Sequence, residues 1–112
     1  MKKISFDFKN RTAIVTGGAQ GFGYDISKRL LESGANVIIW DNDPKATEVA
    51  IRDLGSPNLS SHVVDVSKYE EVDKIVKEIT KNSNIDILIN NAGITGHTTT
   101  LWEYDIEMWK KV

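Results

Sequence analysis

Short apolar runs alternate with longer helical segments along this chain, and no other feature constrains its fold so strongly. Ala13-Ile14-Val15, Val37-Ile38-Ile39-Trp40, His62-Val63-Val64 and Ile85-Asp86-Ile87-Leu88-Ile89 are too short for helices and read as strands. Because they are nearly continuous rather than alternating with polar residues, they suit a sheet covered on both faces, the condition of a parallel sheet. Between them the apolar period becomes helical. Phe22, Ile26 and Leu30 share a face, with Gly34 where a helix ends. A second helix begins near Pro44, carries Ala46, Val49, Ala50 and Leu54, and stops at Gly55-Ser56-Pro57. In the third, Val72, Ile75, Val76 and Ile79 fall at i, i+3, i+4 and i+7, with Ser67 in the place of an N-cap. The order is β-α-β-α-β-α-β, followed by a loop and the start of another helix from Asp105 to Val112.

Right-handed crossovers turn that order into an α/β fold, a Rossmann-type doubly wound parallel sheet with helices on both faces. All 112 residues belong to one domain. The final helix runs only briefly before Val112, and the fourth strand has the composition of a central strand. The chain is therefore expected to be the first βαβαβαβ portion of a larger sheet, its fourth strand left as an open edge.

Composition excludes several classes of function. With 14 basic against 16 acidic side chains, the net charge of -2 offers no electrostatic footprint for nucleic acid or an anionic membrane. There is no cysteine, hence no disulfide, thiolate metal site or cysteine nucleophile, which suits a reducing compartment. His62 and His97 are too far apart in sequence to support a zinc site. No apolar stretch follows the basic start Met1-Lys2-Lys3, and Val37–Trp40 is too short to span a bilayer. A cytoplasmic location is the expectation.

The first strand runs straight into Thr16-Gly17-Gly18-Ala19-Gln20-Gly21-Phe22-Gly23, which opens the first helix. A glycine cluster in that context gathers backbone N–H groups and the positive end of a helix in one crevice, a site for a pyrophosphate. Asp41 closes the second strand, 18 residues after Gly23, near the spacing of about 20 at which a carboxylate meets the ribose hydroxyls of a dinucleotide. A carboxylate accepts from a 2′-hydroxyl and repels a 2′-phosphate, and neither Gln20 nor Asn42 supplies a cation to attract one, so the cofactor is expected to be NAD rather than NADP. The plainer alternative makes Asp41 a helix cap before Pro44.

With Asp65-Val66 after the third strand and Asn90-Asn91-Ala92-Gly93 after the fourth, the whole chain resembles the short-chain dehydrogenase/reductase family. The resemblance implies that Gly17, Gln20, Gly21 and Phe22, with Gly23, line the pyrophosphate and adenosine side of NAD. It implies that Asp65 bonds the adenine amino group beside the Val66 backbone. It further implies that Asn91, Ala92 and Gly93 pass along the nicotinamide ribose while Asn90 braces the fourth strand. Asp65 also fits a cap or dipole partner for the third helix. The stretch Gly93–Tyr104 is similar to ketoacyl-carrier-protein reductases and to sugar or sugar-acid dehydrogenases; His97 there reads as solvated, and Trp102 and Tyr104 as anchors of the next helix.

The same resemblance implies hydride transfer between nicotinamide and a small-molecule alcohol or ketone, by a protein that is a homo-oligomer at full length. It also implies a catalytic serine, a Tyr-x-x-x-Lys pair and a helix asparagine, none of which can be placed here, so no catalytic residue is assigned. Tyr24-Asp25-Ile26-Ser27-Lys28 matches the tyrosine pattern literally but lies on the first helix, where it reads as exposed helix surface. A non-catalytic nucleotide-binding fragment is the alternative, and an unstable truncated product with an unpaired sheet edge is the bland one.

Overall fold

The computed structural model describes residues 6–92. They form β1 (Thr12–Thr16), α1 (Gly21–Glu32), β2 (Asn36–Asp41), α2 (Pro44–Leu54), β3 (Leu59–Val63), α3 (Tyr69–Thr80) and β4 (Ile87–Asn90). The expected helix at 105–112, together with Gly93, His97, Trp102 and Tyr104, lies outside the described residues. The four strands pair in parallel in the order β3-β2-β1-β4. The first two crossovers stay on one side of the sheet and the third passes to the other, so the direction of winding reverses between β1 and β4. That reversal leaves a crevice at the carboxyl ends of the strands.

β1 and β2 are the interior strands, and the continuous apolar runs place them there. Ala13, Val15, Val37 and Ile39 are wholly buried. On one face Val15, Ala35, Val37 and Ile39 pack with Ala19 and Ala50 beneath α1 and α2. On the other, Ile14, Ile38, Trp40 and Val64 pack beneath Val72, Ile75, Val76 and Ile79 of α3. Each fully buried branched side chain contributes about 1.5–3 kcal/mol relative to exposure.

The outer strands differ from the expectation. β3 starts earlier, at Leu59, because its pairing with β2 begins at Val37, and an edge strand tolerates Ser60 and Ser61. Val64 falls just past the strand yet is buried under α3. β4 begins at Ile87: Ile85 packs into the α3-side core, while Asp86 accepts from the Thr12 amide at 2.9 Å.

Phe22 does not share the inner face of α1. That face centres on Gly23 and Ser27, both buried, and a residue next to Gly23 is rotated about 100° away, leaving Phe22 81% exposed. Small residues at the centre let α1 approach the sheet closely, with Ile26, Leu30 and Leu31 packing at the flanks.

Helix caps are redistributed as well. Ser67 is not the cap of α3; Lys68 occupies that position without a side-chain capping bond, and Ser67 instead donates through its amide and hydroxyl to Asp65 Oδ1. The cap of α2 is Asp43, whose Oδ1 accepts from the Lys45 and Ala46 amides at 3.0 Å, with Pro44 in the first turn and Gly55 left-handed at the end. Asp43→Ala is expected to lower stability by about 1 kcal/mol, seen as an earlier urea midpoint, and Asp43→Asn to retain most of the cap.

Candidate functional site

At the top of β1 the chain must turn sharply into α1, and glycine makes that turn feasible. Gly17 has φ of 64° and its amide donates to the Trp40 carbonyl at 2.7 Å, so the turn is stapled to the end of β2. The Asn91 side-chain amide donates to the Gly17 carbonyl at 3.3 Å. A Cβ at Gly23 would overlap that carbonyl and lie 2.6 Å from Asn91 Nδ2. Gly23 is thus the point where α1, the turn and the β4 loop meet. Ser27, wholly buried one turn on, donates to the Gly23 carbonyl at 2.8 Å and reaches the Gly18 carbonyl at 3.4 Å.

Gly21 is different. Its φ is 54°, and a Cβ there would meet nothing within 4 Å, so the space above it is open. Gln20, extended and exposed, makes no side-chain cap, and the first turn of α1 bears no acidic residue. Helix N-termini leave N–H groups without intrahelical partners. While the Asp43 side chain satisfies those of α2, no side chain does so for α1.

Asp41 is 7% exposed, and it is not a helix cap. Its Oδ2 accepts from the Ala19 amide at 3.3 Å and its Oδ1 from the Asp43 amide at 3.0 Å. The carboxylate is held against the glycine turn at the end of β2, with lone pairs to spare on both oxygens. Asp65 follows the neighbouring strand, bound to Ser67, and Val66 beside it is 43% exposed.

Two residues that sequence reasoning left out organise this edge. The Thr16 hydroxyl donates to the Ile89 carbonyl at 3.2 Å and accepts from the Asn91 and Ala92 amides, each at 3.0 Å. The asparagine brace is therefore built differently from the expectation: Asn90 pairs in register with Thr16, and it is Asn91 whose side chain ties the β4 loop to the glycine turn. Thr16→Val leaves three polar backbone groups without their partner; a loss of about 2–3 kcal/mol is expected by urea denaturation, largely recovered in Thr16→Ser. Gly18 is the second omission. A Cβ there would lie 2.8 Å from the Val15 carbonyl and about 3.0 Å from Ile39. Three consecutive small residues after β1 were the available signal.

The structure brings Gly17, Gln20, Gly21, Phe22, Gly23, Asp41, Asp65, Val66, Asn91 and Ala92 to the carboxyl edge of the sheet; Gly93 lies outside the described residues. The Tyr24–Lys28 pair lies elsewhere. Tyr24 is half-buried against the α1-side core rather than exposed as expected, and with Lys28 it lines a groove shared with Leu31, Asp53 and Leu54 that contains none of the crevice residues. Among the described residues no group of three or more His, Asp or Glu is placed to hold a metal ion, and no helix is long and apolar enough to cross a membrane.

A pyrophosphate-bearing dinucleotide fits these residues. An uncapped helix end, an open cradle above Gly21 and a buried, fixed carboxylate one strand away form a complementary set.

The family model described as short chain dehydrogenase matches residues 11–112. The chain is 40% identical over 107 residues to a 3-oxoacyl-[acyl-carrier-protein] reductase, FabG, of Chlamydia trachomatis, covering 92% of this chain and 43% of that protein. It is 34% identical over 108 residues to the 2-dehydro-3-deoxy-L-rhamnonate dehydrogenase (NAD(+)) of a Sphingomonas strain, covering 94% of this chain and 42% of that protein. Among solved structures, a Brucella melitensis 3-ketoacyl-(acyl-carrier-protein) reductase complexed with NADH superposes with a TM-score of 0.81 at 30% identity, over 92% of this chain and 43% of that one. The Pseudomonas aeruginosa RhlG/NADP complex also gives 0.81, at 33% identity, over 96% and 42%. The chain thus spans less than half the length of these relatives.

Proposed function

This chain belongs to the short-chain dehydrogenase family, and on that premise we propose that it is the cofactor-binding portion of an NAD(H)-dependent oxidoreductase acting on an alcohol or ketone. Bound NAD would supply the hydride acceptor, and NADH the donor. The uncapped first turn of α1, with Gly17, Gln20, Gly21, Phe22 and Gly23 around it, holds the pyrophosphate and adenosine side. Asp41 receives the ribose hydroxyls, Asp65 and Val66 the adenine, and Asn91, Ala92 and Gly93 the nicotinamide ribose. The observation that carries the reading is Asp41, a buried carboxylate held by the Ala19 amide of the turn itself. A fixed negative charge there accepts from a 2′-hydroxyl and repels a 2′-phosphate, which is why NAD is preferred over NADP.

The substrate is a ketoacyl compound or a sugar or sugar acid; relatives named for a 3-oxoacyl-[acyl-carrier-protein] and for 2-dehydro-3-deoxy-L-rhamnonate support the first and the last of these. The protein works in the cytoplasm as a homo-oligomer. Titrating the intact protein with NADH and NADPH tests the reading, NADH being the tighter ligand. A lower Kd for NADPH would overturn the cofactor assignment, and failure to oxidise or reduce any member of an alcohol–ketone panel would overturn the activity.

A further inference from the structure

One register row near the crevice runs across all four strands: His62 of β3 opposite Trp40 of β2, Trp40 opposite Thr16 of β1, and Thr16 opposite Asn90 of β4. Residues opposite one another project to the same face of a sheet, and Trp40 packs with Ile14, Ile38 and Val64 beneath α3. In the β1 and β4 half of the row, the Thr16 hydroxyl meets three backbone groups. The β2 and β3 half is unlike it. Trp40 is 4% exposed and its Nε1 is enclosed without an acceptor. His62 is half-buried, and its Nδ1 is likewise enclosed without a partner. Among the described residues these are the only buried side-chain nitrogen or oxygen atoms left unpaired, and they belong to directly opposite residues. Buried polar groups nearly always find a hydrogen-bond partner, so two orphans on neighbouring strands point to a shared one. An indole N–H only donates, whereas an imidazole nitrogen without its proton accepts. The two roles are complementary on strands about 4.8 Å apart, yet Nε1 and Nδ1 are not bonded to each other. A group serving both must accept from one, donate to the other and fit an enclosed space, and a water molecule meets all three conditions.

We propose that Trp40 Nε1 and His62 Nδ1 form a buried site for one water molecule, which accepts from the indole, donates to the imidazole and so fixes His62 with its proton on Nε2. The inference stands whatever the crevice binds. The bridge ties the end of β2 to the end of β3, as the Thr16 hydroxyl ties β1 to the β4 loop. Backbone bonds carry its effect to the crevice. The Trp40 carbonyl receives the Gly17 amide at 2.7 Å, and the carbonyl of the next residue, Asp41, receives the Val64 amide at 3.0 Å. Trp40 and His62 are thus positioning residues for the glycine turn and for the chain that leaves β3.

Nitrogen-15 NMR of the intact protein is the test, with Trp40→Phe identifying the Trp40 indole signal among the three tryptophans. That signal is expected to show magnetisation transfer from a long-lived bound water, and His62 to carry its proton on Nε2 with Nδ1 bare. A coupling across a direct bond from Trp40 Nε1 to His62 Nδ1 would overturn the water site. So would a proton on His62 Nδ1 at neutral pH, or an indole N–H that exchanges as fast as one exposed to bulk solvent. His62→Asn retains an acceptor near the place of Nδ1 and is expected to keep the water signal, whereas His62→Leu loses it. Hydrogen exchange at the Gly17 and Val64 amides should accelerate about five- to ten-fold in His62→Leu and about two-fold or less in His62→Asn. Equal acceleration in both variants would show that the bulk of the ring, and not its nitrogen, holds these strand ends, which overturns the positioning role. Should His62→Leu fail to fold, the spectra of the unaltered protein and of His62→Asn still decide whether the water is there.

Discussion

Replacing Gly23 with alanine is expected to abolish measurable dinucleotide binding and to lower stability by about 2–3 kcal/mol. The added methyl has nowhere to go: one side is closed by the Gly17 carbonyl, a backbone atom, and the other by Asn91 Nδ2 at 2.6 Å. Relief requires α1 to lift from the turn, which strains the Asn91–Gly17 bond and breaks the Ser27–Gly18 bond that registers the helix on the turn. Binding fails because the amides that face the crevice move with α1. Gly21→Ala provides the contrast. Nothing crowds that position, so its cost comes from a φ of 54°, on the order of 1–2 kcal/mol. Its larger effect should be on NADH affinity, since the methyl enters the open cradle. Urea denaturation and NADH titration of both variants separate the two: equal stability losses would show that the contacts at Gly23 do not govern α1 docking.

Asp41→Ala should produce the largest change in cofactor preference, narrowing the NADH-over-NADPH gap by about ten-fold or more, equivalent to about 1.4 kcal/mol. On the proposed reading it removes an acceptor for the ribose and the charge that repels a 2′-phosphate. It also strips the Ala19 and Asp43 amides of their partner, which adds about 1–3 kcal/mol of destabilisation for each group left unsatisfied in a buried setting. Asp41→Asn keeps one acceptor oxygen and most of the shape, so its stability loss should be smaller while the preference still shifts. If the two dissociation constants move in parallel in both variants, Asp41 is structural and the discrimination lies elsewhere.

Much of this edge was legible in the sequence because its signals are local. Gly17, Gly21 and Gly23 announce themselves by spacing after an apolar strand, and Asp41 by its place at the end of the next. Local pattern misleads where it meets packing. Phe22 looked like a core residue by period, but the face that meets the sheet centres on Gly23 and Ser27 because the closest approach needs small side chains. Ser67 is a favourable capping residue, yet Asp65 claims its hydroxyl first. The helical pattern places Tyr24 at the surface, yet it packs on the α1-side core.

The sequence by itself determined the alternation of strand and helix, the parallel sheet and the position of the phosphate turn, since apolar period and glycine's access to positive φ are properties of short segments. Only the tertiary structure decided which contact makes each glycine necessary and that Thr16 and Asn91, rather than Asn90, carry the brace. Those outcomes depend on groups brought together across the chain, as Asn91 and Gly17 are over a separation of 74 residues, and no local pattern records which partner a side chain will meet there.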